Sequence, residues 1–297
     1  MQIGYIGLGK MGANMAERLI EKRHQVWVYD ENGEAVKTLA VKGAYPTYSI
    51  EELMEALQAP RIIWLMVPHE AVDSVLGHLA PYLTAGDTII DGGNSFYKDS
   101  IRRARELSAK DYNFLDAGVS GGPQGARTGA SVMVGGKKEL FSKLEGLWID
   151  ISADGGYGYM GEAGAGHFVK MVHNGIEYGM MQALAEGFAV LEKSPLHLHL
   201  EEIADLYNHK SVIESRLVGW LKDAFVEFGE DLKLVSGSAR QTGEGAWTVE
   251  AAKELGVAAP VIERAVEFRR ASGENPSYTG KILSALRNKF GQHDVRH

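Results

Sequence analysis

Residues 1–30 read MQIGYIGLGKMGANMAERLIEKRHQVWVYD, and this stretch decides the fold. A short apolar strand over residues 1–8 feeds Gly7-Leu8-Gly9-Lys10-Met11-Gly12, a helical pattern runs from Met11 to Glu21, and a second strand, Gln25 to Tyr29, ends in Asp30. Strand, glycine turn, helix, strand and an acid about 20 residues on is the context that a dinucleotide fingerprint requires. Gly7 permits the tight turn, Gly9 lets backbone N–H groups approach a pyrophosphate, and Gly12 allows close packing of helix on strand. Leu8 and Met11 belong to the same cofactor loop. The Asp30 carboxylate would accept from ribose hydroxyls and repel a 2′-phosphate. Glu31 follows it and no arginine is near, so NAD is expected in preference to NADP.

Outward from this unit the pattern repeats. Strands are expected at Arg61 to Val67, Thr88 to Asp91, Asn113 to Ala117 and Ser131 to Val134. Helices are expected at Ile50 to Leu57, Ala71 to Leu79, Lys98 to Ala109 and Lys137 to Gly146. Alternation of this kind gives a largely parallel sheet with helices on both faces, and ligands bind beyond the carboxyl ends of its strands. Val67 closes one such strand and is placed at the cofactor. Two more strand ends are rich in glycine and polar groups: residues 91–95, DGGNS, and residues 116–123, DAGVSGGP. Asn94 in the first, and Ser120, Gly121 and Gly122 in the second, offer donors to a carboxylate or hydroxyls, although such residues also make ordinary loops.

The run 154–166, DGGYGYMGEAGAG, marks the end of the sheet domain, and the chain beyond it reads as helix. The expected architecture is α/β: a Rossmann-type doubly wound sheet over residues 1–163, then an all-α C-terminal domain over residues 164–297, joined by a long helix. That helix, Gly161 to Glu192, carries Lys170, Asn174 and Glu177 within about 60° of one another on the helical wheel, flanked by His173 and Tyr178. Lys170 and Glu177 are about 10 Å apart along the axis, which suits two ends of one small substrate better than a direct ion pair. Pro195 ends the helix, and helices are expected at Leu200 to His209, Ser215 to Phe228, Thr248 to Leu255, Ala259 to Ser272 and Gly280 to Phe290. His197 and His199 lack a third nearby ligand and read as surface histidines, so no metal is expected. Basic groups gather in residues 281–293, where Arg287, with Arg269 one helix earlier, either complements a helix dipole or clamps a phosphate.

Composition limits the classes of function. At 297 residues, 45% hydrophobic and 24% charged, the chain has the size and make-up of a two-domain soluble protein. A net charge of −8 disfavours nucleic-acid binding and anionic membrane surfaces. The sequence contains no cysteine, so thiolate chemistry and disulfides are excluded. With no signal-like leader and no apolar run of spanning length, a cytoplasmic enzyme is the expectation.

The opening GLGKMGANMAERL, the loops DGGNS and SGGPQGA, and residues 170–178, KMVHNGIEY, resemble the β-hydroxyacid dehydrogenases and, within them, the short bacterial form of the decarboxylating 6-phosphogluconate dehydrogenases. That resemblance implies Lys170 as the catalytic lysine, Glu177 as the second acid and Asn174 as their companion. It also implies Asn94, Ser120, Gly121, Gly122, His173 and Asn174 around a sugar acid, and Tyr178, Arg269, Arg287 and His293 on its phosphate. In longer members the equivalents of Arg287 and His293 come from a neighbouring subunit, so a homodimer or homotetramer is implied. Two positions depart from the longer pattern: Glu31 stands where an arginine would meet a 2′-phosphate, and Thr242 stands where a lysine would bind the substrate phosphate.

The chemistry implied is oxidative decarboxylation of 6-phosphogluconate to ribulose 5-phosphate and CO₂, with reduction of NAD, as in the pentose phosphate pathway and gluconate use. Lys170 would take the C3 hydroxyl proton and then, as an ammonium, polarise the ketone during loss of CO₂, while Glu177, its pKa raised by burial, would protonate the enediol. Two rivals share part of the pattern. A non-decarboxylating dehydrogenase of a small β-hydroxy acid would use the Lys170 and Asn174 pair but not Arg269, Arg287 and His293 together. A non-catalytic NAD-binding sensor would keep the glycines and have no use for Lys170 with Glu177.

Overall fold

The structure, a computed structural model, describes residues 1–239 and 243–295. Two compact units divide the chain, Met1–Lys170 and Met171–His297. In the first, β1 (Gln2–Ile6), α1 (Lys10–Glu21), β2 (Gln25–Tyr29), α2 (Gly33–Ala40), β3 (Tyr45–Pro46), α3 (Ile50–Ala56), β4 (Ile62–Leu65), α4 (Val72–Leu79), β5 (Thr88–Asp91), α5 (Tyr97–Ser108) and β6 (Asn113–Ser120) alternate. They are followed by α6 (Gly122–Thr128), β7 (Ala130–Gly136), α7 (Lys138–Lys143), α8 (Glu145–Ile151) and β8 (Ser152–Gly161).

The eight strands lie in the order β3-β2-β1-β4-β5-β6-β7-β8. Pairing is parallel from β3 through β6, β7 runs antiparallel to β6, and β8 runs parallel to β7. The order reverses between β1 and β4, so the crevice for a nucleotide opens beyond Ile6 and Leu65. Alternate side chains of each strand enter opposite cores. Ile3, Tyr5, Val26, Val28, Trp64, Ile90 and Leu115 pack with Met15 and Leu19 of α1 and Trp148 of α8. On the other face Ile6, Ile63, Leu65, Ile89 and Phe114 pack with Leu53, Met54, Val72 and Leu79. A sheet buried on both faces explains the continuous apolar run of β4.

Several stretches differ from the sequence expectation, among them the unexpected α2 and β3. The GGPQGART segment is the helix α6, with Gly121 and Gly122 at φ +127° and +63° turning the chain out of β6. Residues 152–161 form the last strand of the sheet, β8, in place of a boundary loop; it pairs with β7, and the rings of Tyr157 and Tyr159 lie tilted against Phe141. The expected helix at 137–146 is instead two short helices, α7 and α8.

The long helix α9 spans Ala165–Lys193, starting four residues later than expected because Gly161 ends β8 and Gly164, at φ +92°, makes the turn. Then come α10 (Leu200–Tyr207), α11 (Arg216–Phe228), α12 (Glu244–Glu254), α13 (Pro260–Ala271) and α14 (Tyr278–Gly291). The core of the second unit gathers Met181, Ala185 and Phe188 of α9, Leu221 and Phe225 of α11, and Ile282, Leu283 and Leu286 of α14. Among the described residues no helix is long and apolar enough to cross a membrane.

Candidate functional site

The first unit builds a nucleotide cradle from the three fingerprint glycines, each under a different constraint. Gly7 adopts φ +97°, and a Cβ there would sit 2.4 Å from the Met66 carbonyl. A Cβ on Gly12 would sit 2.0 Å from the Gly7 carbonyl, so only glycine lets α1 approach the turn. A Cβ on Gly9 would meet nothing within 4 Å, which leaves open space before the first turn of α1, where unpaired N–H groups favour an anion. These features fit a dinucleotide pyrophosphate. Leu8 turns its side chain into the core and its backbone N–H toward Asp30, donating to Oδ2 at 2.6 Å, while Asn32 N donates to Oδ1 at 2.8 Å. Asp30 therefore ties the glycine turn to the end of β2, and each oxygen keeps a lone pair for a ribose hydroxyl. Met11 is half-buried against the same core. Val67 lies at the switch point between two glycines: its Cγ1 is 2.9 Å from where a Gly7 Cβ would be, and its carbonyl 2.7 Å from where a Gly93 Cβ would be.

The DGGNS loop is shaped from beneath by Asp91, which is fully buried. Its carboxylate accepts from Gly93 N at 3.1 Å and from Ser95 Oγ at 2.8 Å, which leaves Asn94 exposed at the tip. Within β6, Asp116, also fully buried, accepts from Gly164 N at 2.6 Å and His167 N at 2.8 Å and so holds the start of α9 onto the strand. Close approach is enforced by glycine, since a Cβ on Gly166 would meet the Met133 carbonyl at 2.4 Å and one on Gly118 would meet Lys170 Cβ at 2.3 Å. Lys170, 9% exposed, is thus seated against β6, whose last residue is Ser120 and whose exit turn is Gly121-Gly122. His167 completes the shelf, its Nδ1 2.7 Å from Ser100 Oγ.

The second unit gathers the remaining candidate residues. His173, Asn174 and Glu177 lie together on α9: His173 Nδ1 is 3.0 Å from Asn174 Oδ1 and 3.9 Å from a Glu177 oxygen. One turn away Tyr178 is buried, with the guanidinium carbon of Arg269 lying 3.5 Å from its ring centroid. Arg269 is 4% exposed, and burial, reinforced by the neighbouring Arg287 charge, pushes its pKa down against the pull of Tyr178, Glu177 and Glu244. Arg287 is itself buried. Two buried guanidiniums thus lie near each other in this unit, one of them stacked on an aromatic ring. Helix crossings hold this group in place. A Cβ on Gly175 would strike Thr248 at 2.5 Å, and one on Gly245 would strike the Tyr178 ring at 2.6 Å, so α9 and α12 meet glycine against side chain in both directions.

The tail packs within its own unit: Arg287 lies near Arg269, the His293 carbonyl accepts from Asn288 Nδ2 at 2.7 Å, and the Val295 carbonyl accepts from Ser236 N at 2.8 Å. The physical cause is α14, whose Ile282, Leu283, Ala285 and Leu286 are completely buried in the core of that unit. Thr242 lies outside the described residues. His197 and His199 are exposed in the segment after α9. The sequence reading did not single out Asp91, Asp116, Gly118, Gly175 or Gly245; the two aspartates had a signal, an acid at each strand end, whereas the glycines had none.

Comparison with known proteins gives the family. Residues 2–161 match the family described as the NAD binding domain of 6-phosphogluconate dehydrogenase, and residues 166–281 match 6-phosphogluconate dehydrogenase, C-terminal domain. The protein YqeC of Bacillus subtilis (strain 168) is 48% identical, with 99% of this chain and 98% of that one covered. The 6-phosphogluconate dehydrogenase, NAD(+)-dependent, decarboxylating, of Haloferax volcanii is 41% identical over 99% of this chain and 98% of its own. Among solved structures, that of Plasmodium falciparum 6-phosphogluconate dehydrogenase superposes with a TM-score of 0.84 at 30% identity, and this chain, 99% covered, spans 66% of that longer one. With a nicotinamide-nucleotide fold, an α-helical second unit and relatives matched end to end, the chain belongs to the 6-phosphogluconate dehydrogenase family.

Proposed function

We propose that this protein oxidises and decarboxylates 6-phosphogluconate to ribulose 5-phosphate and CO₂, using NAD in preference to NADP. The observation that carries the reading is the pair of buried guanidiniums, Arg269 and Arg287, beside Tyr178 in a chain of net charge −8. An unphosphorylated hydroxy acid has no group that needs them. Residues 1–163 would carry the nucleotide, and residues 164–297 the substrate and the subunit contacts of a homodimer or homotetramer.

Gly7, Gly9 and Gly12 would hold the pyrophosphate, Asp30 the adenosine ribose, and Val67 and Asn94 would line the nicotinamide end. Support for NAD comes from Asp30, from the exposed Glu31 beside it, and from the NAD(+)-dependent Haloferax relative. A bound nicotinamide supplies the hydride acceptor. Lys170, as the free amine, removes the C3 hydroxyl proton and then, as the ammonium, donates to the C3 ketone oxygen while the C1–C2 bond breaks and CO₂ departs. Asn174, one turn on, orients the hydroxyl. Glu177 in its acid form delivers the proton to C1 of the enediol. Asn94, Ser120, Gly121, Gly122 and His173 grip the sugar acid, and Tyr178, Arg269, Arg287 and His293 its phosphate.

Initial velocities with 6-phosphogluconate and with gluconate, each with NAD and NADP, test the proposal. CO₂ and NADH should form in equal amounts from 6-phosphogluconate alone. NADH without CO₂, or a lower KM for NADP than for NAD, would overturn the corresponding half of the reading.

A further inference from the structure

A single buried guanidinium joins the segments that follow β4 and β5. Arg103 of α5 is 2% exposed, yet it reaches three elements. Its Nη1 lies 3.3 Å from Asp91 Oδ2 at the end of β5. Its Nε and Nη2 donate to the two oxygens of Asp73 in the first turn of α4, at 2.8 and 3.1 Å, and Nη2 also lies 3.4 Å from the carbonyl of His69. Asp91 is the residue whose carboxylate fixes Gly93 N and Ser95 Oγ. The loop after β5 meets the loop after β4 directly, a Cβ on Gly93 falling 2.7 Å from the Val67 carbonyl.

We infer that Arg103 is a positioning residue for the reaction, a strut that holds the Asn94 loop and the Val67 loop in register through Asp91 and Asp73. The inference rests on the proposed function for the roles of Asn94 and Val67. It does not rest on it for the strut, which is built from Arg103, Asp91 and Asp73, side chains given no part in the proposed chemistry. A bidentate arginine against a carboxylate fixes direction as well as distance, which a lysine would not. The Asp73 carboxyl is held down to about 2, chiefly by its hydrogen bond to Arg103, so the strut is ionised at any working pH.

Replacing Arg103 by Met would strand the buried Asp91 charge and endanger folding, so the decisive variant is Asp73→Ala. Asp73 is 50% exposed, and its removal leaves Arg103 with Asp91 but without its anchor on α4. Asp99→Ala is the control, because Asp99 pairs with Arg102 of the same helix and not with Arg103. Loop position can be read without turnover from Trp64, whose Nε1 lies 2.4 Å from where a Gly92 Cβ would be. With 5-fluorotryptophan in the five tryptophan positions, Trp64→Phe assigns its ¹⁹F resonance.

In Asp73→Ala the Trp64 resonance should shift or broaden, and kcat for the phosphorylated acid should fall about tenfold, with the NADH Kd within about twofold of wild type. Asp99→Ala should change neither. An unmoved resonance, or a moved resonance with wild-type kcat, overturns the inference. If the unaltered enzyme fails to turn over 6-phosphogluconate, the proposed function fails instead, and the resonance alone then decides the strut: a shift supports it and no shift overturns it.

Discussion

Gly118 and Lys170 are packed so closely that a Cβ on the glycine would lie 2.3 Å from the Cβ of the lysine. The lysine is thereby seated by the sheet and not only by its own helix, since the same added carbon would also lie 2.9 Å from the Gly166 carbonyl, which is backbone and cannot turn aside.

Gly118→Ala should therefore act on catalysis through position. Overpacking of this kind costs about 1–3 kcal/mol of stability. A displacement of the amine by about 1 Å should lower kcat by roughly a hundredfold. NADH binding, assigned above to residues 7–30, Val67 and Asn94, should be nearly unchanged. Fluorescence titration with NADH beside steady-state kinetics separates the two, and a wild-type kcat would show that the shelf under Lys170 yields.

Arg269 should discriminate by phosphate. Arg269→Met keeps bulk over Tyr178, removes one of two mutually unfavourable buried charges, and should leave the fold at least as stable. The KM for 6-phosphogluconate should rise about a hundredfold, since a charge-assisted pair is worth about 1.5–3 kcal/mol. NADH Kd should not change. A KM for 6-phosphogluconate that stayed at the wild-type value would place Arg269 outside the phosphate site.

How much of this was legible beforehand depends on the range of the interactions. The fingerprint 7–12 with Asp30 was readable because strand, turn and helix are local, and the same holds for Lys170, Asn174 and Glu177 on a single helix. Strand β8 was not readable. Its run DGGYGYMG carries the glycines of a loop and becomes a strand only through pairing with β7, some 20 residues earlier. Helix α6 was hidden by its Gly-Gly-Pro start, which also suits a turn, although proline early in a helix is favourable. Arg103, in the sequence RRARE, resembles its half-buried neighbour Arg102, and only the tertiary structure buries one fully and not the other.

The Asp73 pairing should leave a pH signature in stability. Its folded pKa, about 2, lies below the ordinary value of 3.8, so it contributes stability above about pH 4 and loses it as pH falls toward 2. Because the side chain is half exposed, solvent screening reduces the contribution to about 1 kcal/mol. Wild type should unfold at a slightly higher temperature than Asp73→Ala at pH 7, by no more than a few degrees, and the two should converge between pH 4 and 2. A difference that persisted at pH 2 would mean that packing, not charge, links Asp73 to Arg103.

Gly9 and Gly12 should respond in opposite ways to the same added methyl group. At Gly12 the new carbon would lie 2.0 Å from the Gly7 carbonyl, so α1 must move away from the turn, and both Tm and NADH affinity should fall. At Gly9 it would meet no protein atom within 4 Å, and the residue already has an extended backbone, with φ −64° and ψ −172°, that alanine adopts freely. Gly9→Ala should therefore leave Tm unchanged or slightly raised, since alanine restricts the unfolded chain more than glycine. Its methyl group would instead occupy the space kept for the pyrophosphate, and NADH Kd should rise at least about tenfold, because backbone N–H groups at a helix N-terminus bind phosphate only at close approach. Thermal unfolding with and without NADH checks both variants at once. Should Gly9→Ala bind NADH as tightly as wild type, the pyrophosphate would have to lie elsewhere than over the start of α1, and the assignment of the glycine turn as the nucleotide cradle would fall with it.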